Sequence, residues 1–440
     1  VPASTSKALR IAVIADSDTR WKWGALTARR IAPEAELSGF LLRGRATPTP
    51  RQLAEVGVPV DGVREVTAAE FIGEIEHESY DVVLLALVGG AVQAMLHGLA
   101  PLWPKAARRP VIGTGYVGVV YEKLADGLLL RHGADIVLAN SRHDAERFRA
   151  VYEGVGADAS AVTEAALPFL GGARYEGTDT ATVVFAAQPS VPQSRADRTY
   201  LLRRLVQHAR LHPGREVLLK LRSKPGEHTT HIEELPYQKL AARTEGGVPP
   251  NFRLVYGHMG EVLDRTDLLV TVSSTAALES LHRRIPTAVL TDLGVREVLG
   301  NHHFLGSGCL TSWDRLDAGH RPQADEEWLA RQGVAAGGPP TPPGVGGGSY
   351  ETAFDAVRKR VTALLERPGL PPLAPYYTPA TAPGYLPGIL ARHRLDGSAA
   401  TTDVTGVRRV VRDAVREVAR GAYRHGVQRV APVIRRMGEL

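Results

Sequence analysis

Residues 264–292 read DRTDLLVTVSSTAALESLHRRIPTAVLTD. Leu268–Val272 is a short run, apolar but for Thr271, the pattern of a strand buried on both faces of a parallel sheet. Ser273, Ser274 and Thr275 supply a turn, and a run of helix formers then carries one acid, Glu279. A second apolar run follows at Thr287–Leu290. Strand, crossover helix and strand make a βαβ unit, and a chain of such units folds as a parallel sheet covered by helices.

The same pattern extends in both directions. Around this stretch, strands are predicted at 182–187, 216–221, 252–256, 268–272 and 287–291, with helices at 196–211, 259–265 and 275–283. An earlier series runs through RIAVIAD (10–16), ELSGFLL (36–42), DVVLLAL (81–87), RPVIGTG (109–115) and ADIVLAN (134–140). Helical stretches at 22–31, 68–78 and 141–152 lie between these strands, and GGARYEGTDT (171–180) reads as a linker. Ten of the sixteen residues at 334–349 are Gly or Pro, which marks a loop, and a helix is predicted at 351–366. The fold class is therefore α/β: two tandem Rossmann-like domains, 1–175 and 180–370, then a Pro-rich segment and basic helical tail at 371–440.

Bulk composition narrows the function classes. A chain of 440 residues with 44% apolar content buries two or three domain cores. No run approaches 18 apolar residues and the N-terminal stretch has no secretory pattern, so a cytoplasmic protein is expected. The lone Cys309 excludes an intrachain disulfide and a Cys-rich zinc site, and the 15 scattered histidines show no ligand spacing. We expect no metal and no cofactor. The net charge of +6 equals that of residues 405–440 alone, nine arginines against three acids. Charge confined to a tail argues against a nucleic-acid partner. Arg408, Arg412, Arg416, Arg420 and Arg424 form one helical ridge beside a Val/Ala stripe, a pattern suited to an anionic membrane surface. A solvated helix packing on protein is the plainer alternative.

Open α/β sheets bind ligands at the carboxyl ends of their strands, so two facing sheets enclose a cleft. Ser273, Ser274 and Thr275 stand at such an end and offer hydroxyls and amides to a phosphate, where a plain N-cap needs only one of them. Glu279, one turn on and among apolar neighbours, is placed to accept ribose hydroxyl protons; a solvated surface acid is the alternative. Lys220, Arg222 and Lys224 alternate at another strand end and suit a departing phosphate, unless they form a solvated basic loop. His228 is ambiguous between phosphate ligand and surface residue. In the first domain Asp16 and Asp18 flank the mouth of the cleft, each a candidate general base or a helix cap. Arg20 and Trp21 are candidates for acceptor contact, as are Gly113 and Gly115 in GTGYVG. Neither a phosphate-binding P-loop nor a nucleophile elbow is present.

This arrangement resembles GT-B glycosyltransferases and their relatives, the nucleotide-sugar epimerases. SSTAALESLHRRIPTAVL resembles the donor-nucleotide element of several GT-B families, in which a small-residue turn holds phosphate and a helix Glu binds ribose. Residues 183–231 resemble a segment of bacterial capsule Kdo transferases and of sialyl- and polysialyltransferases, with Gln188-Pro189 after the first donor-domain strand. Their Lys-Pro-His-Pro segment is here LKLRSKPGEHTTH, which keeps Lys220 but has Arg222 and a displaced His228. The chain also resembles an actinobacterial family of proposed glycosyltransferases. The resemblance implies a metal-independent transferase taking a nucleotide-sugar, CMP-linked ulosonic acid or a UDP- or CDP-linked sugar, to a cell-envelope glycan or lipid-linked acceptor. A nucleotide-sugar epimerase and a non-catalytic, membrane-associated glycan-binding scaffold are the rivals.

Overall fold

The structure, a computed structural model, describes residues 8–44, 46–60, 62–119, 124–177, 181–224, 227, 235–334 and 350–396. The tail at 405–440 and His228 lie outside the described residues.

The first sheet contains β1 (Arg10–Ala15), β2 (Glu36–Leu42), β3 (Gly62–Val66), β4 (Val82–Ala86), β5 (Val111–Gly115), β6 (Ile136–Ala139) and β7 (Val162–Glu164). Its order is β3-β2-β1-β4-β5-β6-β7, with every pairing parallel. The crossovers are α1 (Asp18–Ile31), α2 (Pro50–Ala54), α3 (Ala68–His77), α4 (Gly89–Leu99), α5 (Leu124–Leu129) and α6 (Arg142–Gly154). Ile11–Ala15 and Val82–Ala86 are buried throughout because helices cover both faces. Local chemistry sets the helix ends: Thr67 and Glu70 form a capping box on α3, and Arg29 and Arg30 close α1 against its dipole. Sequence reading missed β3, which is largely exposed, and β7, which has three residues; neither carries a long apolar run.

The second sheet contains β8 (Thr182–Ala186), β9 (Glu216–Lys220), β10 (Phe252–Val255), β11 (Leu268–Thr271), β12 (Thr287–Leu290) and β13 (Leu310–Thr311). The order is β10-β9-β8-β11-β12-β13, again parallel. Its helices are α7 (Arg195–Leu211), α8 (Tyr237–Ala241), α9 (Met259–Leu263), α10 (Ala276–His282), α11 (Trp313–Asp317) and α12 (Glu326–Arg331). In each sheet the chain reverses direction beside the first strand, between β1 and β4 and between β8 and β11. Such switch points open a crevice at the strand carboxyl ends. Register sharpens this, because Ala186 pairs with both Lys220 and Thr271, bringing three strand ends level.

The final described elements are α13 (Asp355–Leu365) and α14 (Leu386–Arg392). Here the predicted boundary needs correction. Helix α13 packs on β5 and β7 of the first sheet, and α14 packs on α4. Val357, Val361 and Leu364 form an apolar stripe covered by the first domain, the Tyr350 hydroxyl donates to the Leu167 carbonyl, and Leu370 pairs with Ala107. The chain thus returns to its first domain after the second. No helix among the described residues is long and apolar enough to cross a membrane.

Candidate active site

The two switch points face one another across a cavity of about 380 Å³. Its lining includes Asp18, Lys22 and Glu55 from the first domain, and Lys220, Arg222, His258 and Glu279 from the second. Ser274 and Thr275 form part of the same wall.

The three hydroxyls at the end of β11 divide into two roles. Ser273 is buried; its hydroxyl donates to the Leu299 carbonyl (2.5 Å), while its N–H donates to Gln188 Oε1 (3.1 Å). Ser273 and the Gln188 amide therefore tie the ends of β8 and β11 together, which corrects the expectation that Ser273 offers a hydroxyl to phosphate. Ser274 Oγ accepts from the Ala276 N–H (3.2 Å) just ahead of α10 and still lines the cavity. Thr275 has no hydrogen-bond partner for its N–H or hydroxyl among the described residues, and it faces Gly118 of the first domain. A Cβ at Gly118 would lie 2.8 Å from Thr275 Oγ1, so glycine permits the two domains to approach there.

Lys220 ends β9 almost fully buried, with Nζ donating to the Leu221 carbonyl at 2.9 Å. Burial pushes its ammonium down to about 8. Arg222 forms an ion pair with Asp18 across the domain seam and also contacts the Thr19 hydroxyl. Glu279 meets Lys22 Nζ at 3.4 Å, and Lys22 stands 4.5 Å over the Phe169 ring. A third cross-seam pair joins Arg51 to Glu227. Three acids and three bases line the cavity, so its formal charges balance with histidine neutral. Burial lowers the pKa of His258 from its ordinary value, and the nearby Lys22 charge lowers it further, keeping the imidazole neutral near pH 7.

Several predicted residues lie elsewhere. Asp16 accepts from Arg20 at 2.8 Å and from the Val88 N–H at 3.0 Å, so these two candidates satisfy each other outside the cavity lining. Trp21 is 2% exposed and packs where Gly39 has no side chain, since a Cβ there would stand 2.6 Å from Cη2. It belongs to the core and offers no face to an acceptor. Gly113 and Gly115 are buried within β5, making room for Leu84 and Trp23 respectively. Gly118, three residues on, is the glycine at the seam. Sequence reasoning missed Lys22 and His258. Lys22 sits one turn after Asp18 on α1, a spacing that could have marked it.

Among the described residues one group has metal-like spacing, His208, His212 and Asp317, and it lies at the C-terminal end of α7 and on α11, away from the cavity. The Asp317 carboxylate there is already held by His208 Nδ1 at 2.6 Å and by Arg204 at 3.0 Å.

A family model described as "Putative glycosyltransferase (DUF6716)" matches residues 11–341. No curated protein matches the chain. Among solved structures, the chain is similar to S. aureus MnaA solved with UDP, at 11% identity and a TM-score of 0.50, over 82% of this chain and 99% of that one. It is similar to a UDP-N-acetylglucosamine 2-epimerase at 12% identity and a TM-score of 0.50, over 83% and 98%. A UDP-glucosyltransferase from Polygonum tinctorium aligns at 11% identity over 90% and 100%, with a TM-score of 0.44. At these identities the two structures with a TM-score of 0.50 establish the fold alone, the GT-B arrangement of two facing α/β domains.

Proposed function

The chain belongs to the glycosyltransferase family whose model spans residues 11–341, and we propose that it moves a sugar from a nucleotide-linked donor to a cell-envelope glycan or lipid-linked acceptor. The observation that carries this reading is the level arrangement of Lys220, the Ser274-Thr275 turn and Glu279 around one cavity at facing strand ends. The donor phosphate lies between the turn and Lys220, and Glu279 accepts from the ribose hydroxyls. Once Glu279 turns to ribose, Lys22 is released to the phosphate. The acceptor oxygen attacks the anomeric carbon, its proton passes to Asp18, and the bond from that carbon to phosphate oxygen breaks. Lys220 and Lys22 offset the charge that develops on the leaving phosphate, which allows transfer without a metal ion. Arg222, held against Asp18, orients that carboxylate. The basic tail is proposed to hold the enzyme on anionic lipid, where a lipid-linked acceptor is presented.

MnaA was solved with UDP, which supports a UDP-linked donor; the sequence resemblance supports a CMP-linked one. The epimerase relatives support a second reading, in which the same cleft inverts a centre on the sugar without an acceptor. Incubation with UDP-, CDP- and CMP-sugars, with and without envelope extract, separates these readings. Acceptor-dependent nucleotide release supports transfer. Acceptor-independent conversion of the sugar to its epimer would replace transfer by epimerisation, and binding without turnover of any donor would leave a scaffold.

A further inference from the structure

A second cavity, about 460 Å³, lies on the same domain seam and has no part in the donor site described above. The first domain contributes His143 and Arg147 from α6, and the second contributes Leu305, Glu327, Trp328 and Arg331. The two cavities are linked through Asn140. Gly333, just after the second cavity's lining, packs against the Asn140 carbonyl. Asn140 in turn donates to the Tyr116 carbonyl at 2.6 Å and to that of Gly118 at 3.4 Å, and Gly118 faces Thr275 in the donor cavity.

The lining chemistry is specific. Trp328 is half-buried and braced on Phe304, with ring centroids 5.6 Å apart and a 31° tilt. A fixed indole of this kind offers a flat apolar surface. Leu305 adds apolar area beside it and is 60% exposed. Around them stand planar, multiply hydrogen-bonding groups: the Arg147 and Arg331 guanidinia, the Asp325 and Glu327 carboxylates and the Gln332 amide. Two arginines balance two acids. Burial holds His303 down to about 3, so it adds no charge at neutral pH. A neutral site with an aromatic wall and a ring of donors and acceptors matches a ligand with one apolar face and a rim of hydroxyls. Its volume falls in the range of small-molecule pockets.

We infer that this seam cavity binds an uncharged hexose unit, stacked on Trp328 and hydrogen-bonded through Arg147 and Glu327. Its role as the seat of an outer sugar of the acceptor glycan rests on the transferase reading; the binding itself does not.

Saturation-transfer NMR on the full chain tests it, with the methyl glycosides of glucose, galactose, mannose and N-acetylglucosamine as probes. At least one should receive saturation from the wild-type protein, and it should still do so when UDP, CDP, CMP and GDP are present together. Trp328→Ala should reduce the signal by roughly tenfold, the scale of one lost stacking contact. Because Trp328 also packs on Phe304, Glu327→Gln serves as the second variant; it should weaken the signal without moving the melting temperature. No transfer to any glycoside, transfer unchanged in both variants, or transfer abolished by the nucleotides would overturn the inference. A protein that binds glycosides here but no nucleotide would contradict the donor-site reading and leave this one standing.

Discussion

Lys22 Nζ stands 3.4 Å from Glu279 Oε2, and the two residues come from different domains, 257 positions apart. The pair is largely shielded from solvent, with side chains 20% and 11% exposed. A ligand that binds this carboxylate competes with the ammonium for it, so occupancy of the cleft and the charge at the seam are coupled.

If Glu279 accepts from ribose, Glu279→Gln should weaken ribonucleotide binding by about 1–3 kcal/mol, the scale of a lost charge-assisted hydrogen bond. Binding of the 2′-deoxynucleotide should change less. Calorimetric titration of both nucleotides into both proteins measures the ratio. An equal preference for ribose in variant and wild type would remove Glu279 from the ribose site.

Lys220 gives a pH signature. Its ordinary value is 10.5 and burial lowers it to about 8, so the folded protein sheds this proton first. Below about pH 8 the ammonium is present and pairs with phosphate. Above that value the charge is lost, and nucleotide affinity should fall. The stability contribution has the opposite sense: between about 8 and 10.5 the unfolded chain holds more protons, so this residue's burial penalty is relieved as pH rises. Titrations at pH 7, 8 and 9 should show the loss of affinity in wild type and a flatter profile in Lys220→Arg.

Asp18, unlike Asp16, reaches the cavity. Asp18→Asn should lower turnover by roughly 10²–10⁴-fold, the usual range for a lost general base, while nucleotide binding is kept. Arg222→Ala removes the same ion pair but leaves the carboxylate, and should cost less. Steady-state rates that fall equally in both variants would mean that Asp18 acts only through its pair with Arg222.

Trp21→Ala should destabilise the protein by about 3–5 kcal/mol, as expected for a large buried side chain, seen as a lower midpoint in urea. Nucleotide affinity of the folded protein should not change. A variant with wild-type stability and impaired acceptor use would restore Trp21 to the acceptor site.

The legible and illegible parts of this chain divide along physical lines. Strands buried on both faces, such as Leu268–Thr271 and Val82–Ala86, announce themselves as apolar runs, and the turns after them place Lys220, Ser274, Thr275 and Glu279 at strand ends. Edge strands such as Gly62–Val66 bury little and leave no such trace. The i, i+4, i+7 stripe of Val357, Val361 and Leu364 says that α13 is covered; nothing local says that the first domain covers it. Trp21 and Gly115 read as site residues because tryptophan and glycine serve both cores and ligands, and only packing against Gly39 and Trp23 separates the two uses. Lys22 escaped notice because its partner lies in the other domain.

Nucleotide binding at the Ser274-Thr275 turn is the claim on which the rest depends. Thermal unfolding with CMP, CDP, UDP and GDP tests it, since a ligand that binds only the folded state raises the melting temperature by mass action. At least one nucleotide should raise that temperature in the wild-type protein, and Ser274→Ala combined with Thr275→Ala should abolish most of the shift, measured against the variant's own unliganded melt. A protein that none of the four stabilises, or a double variant stabilised as much as wild type, would contradict the account.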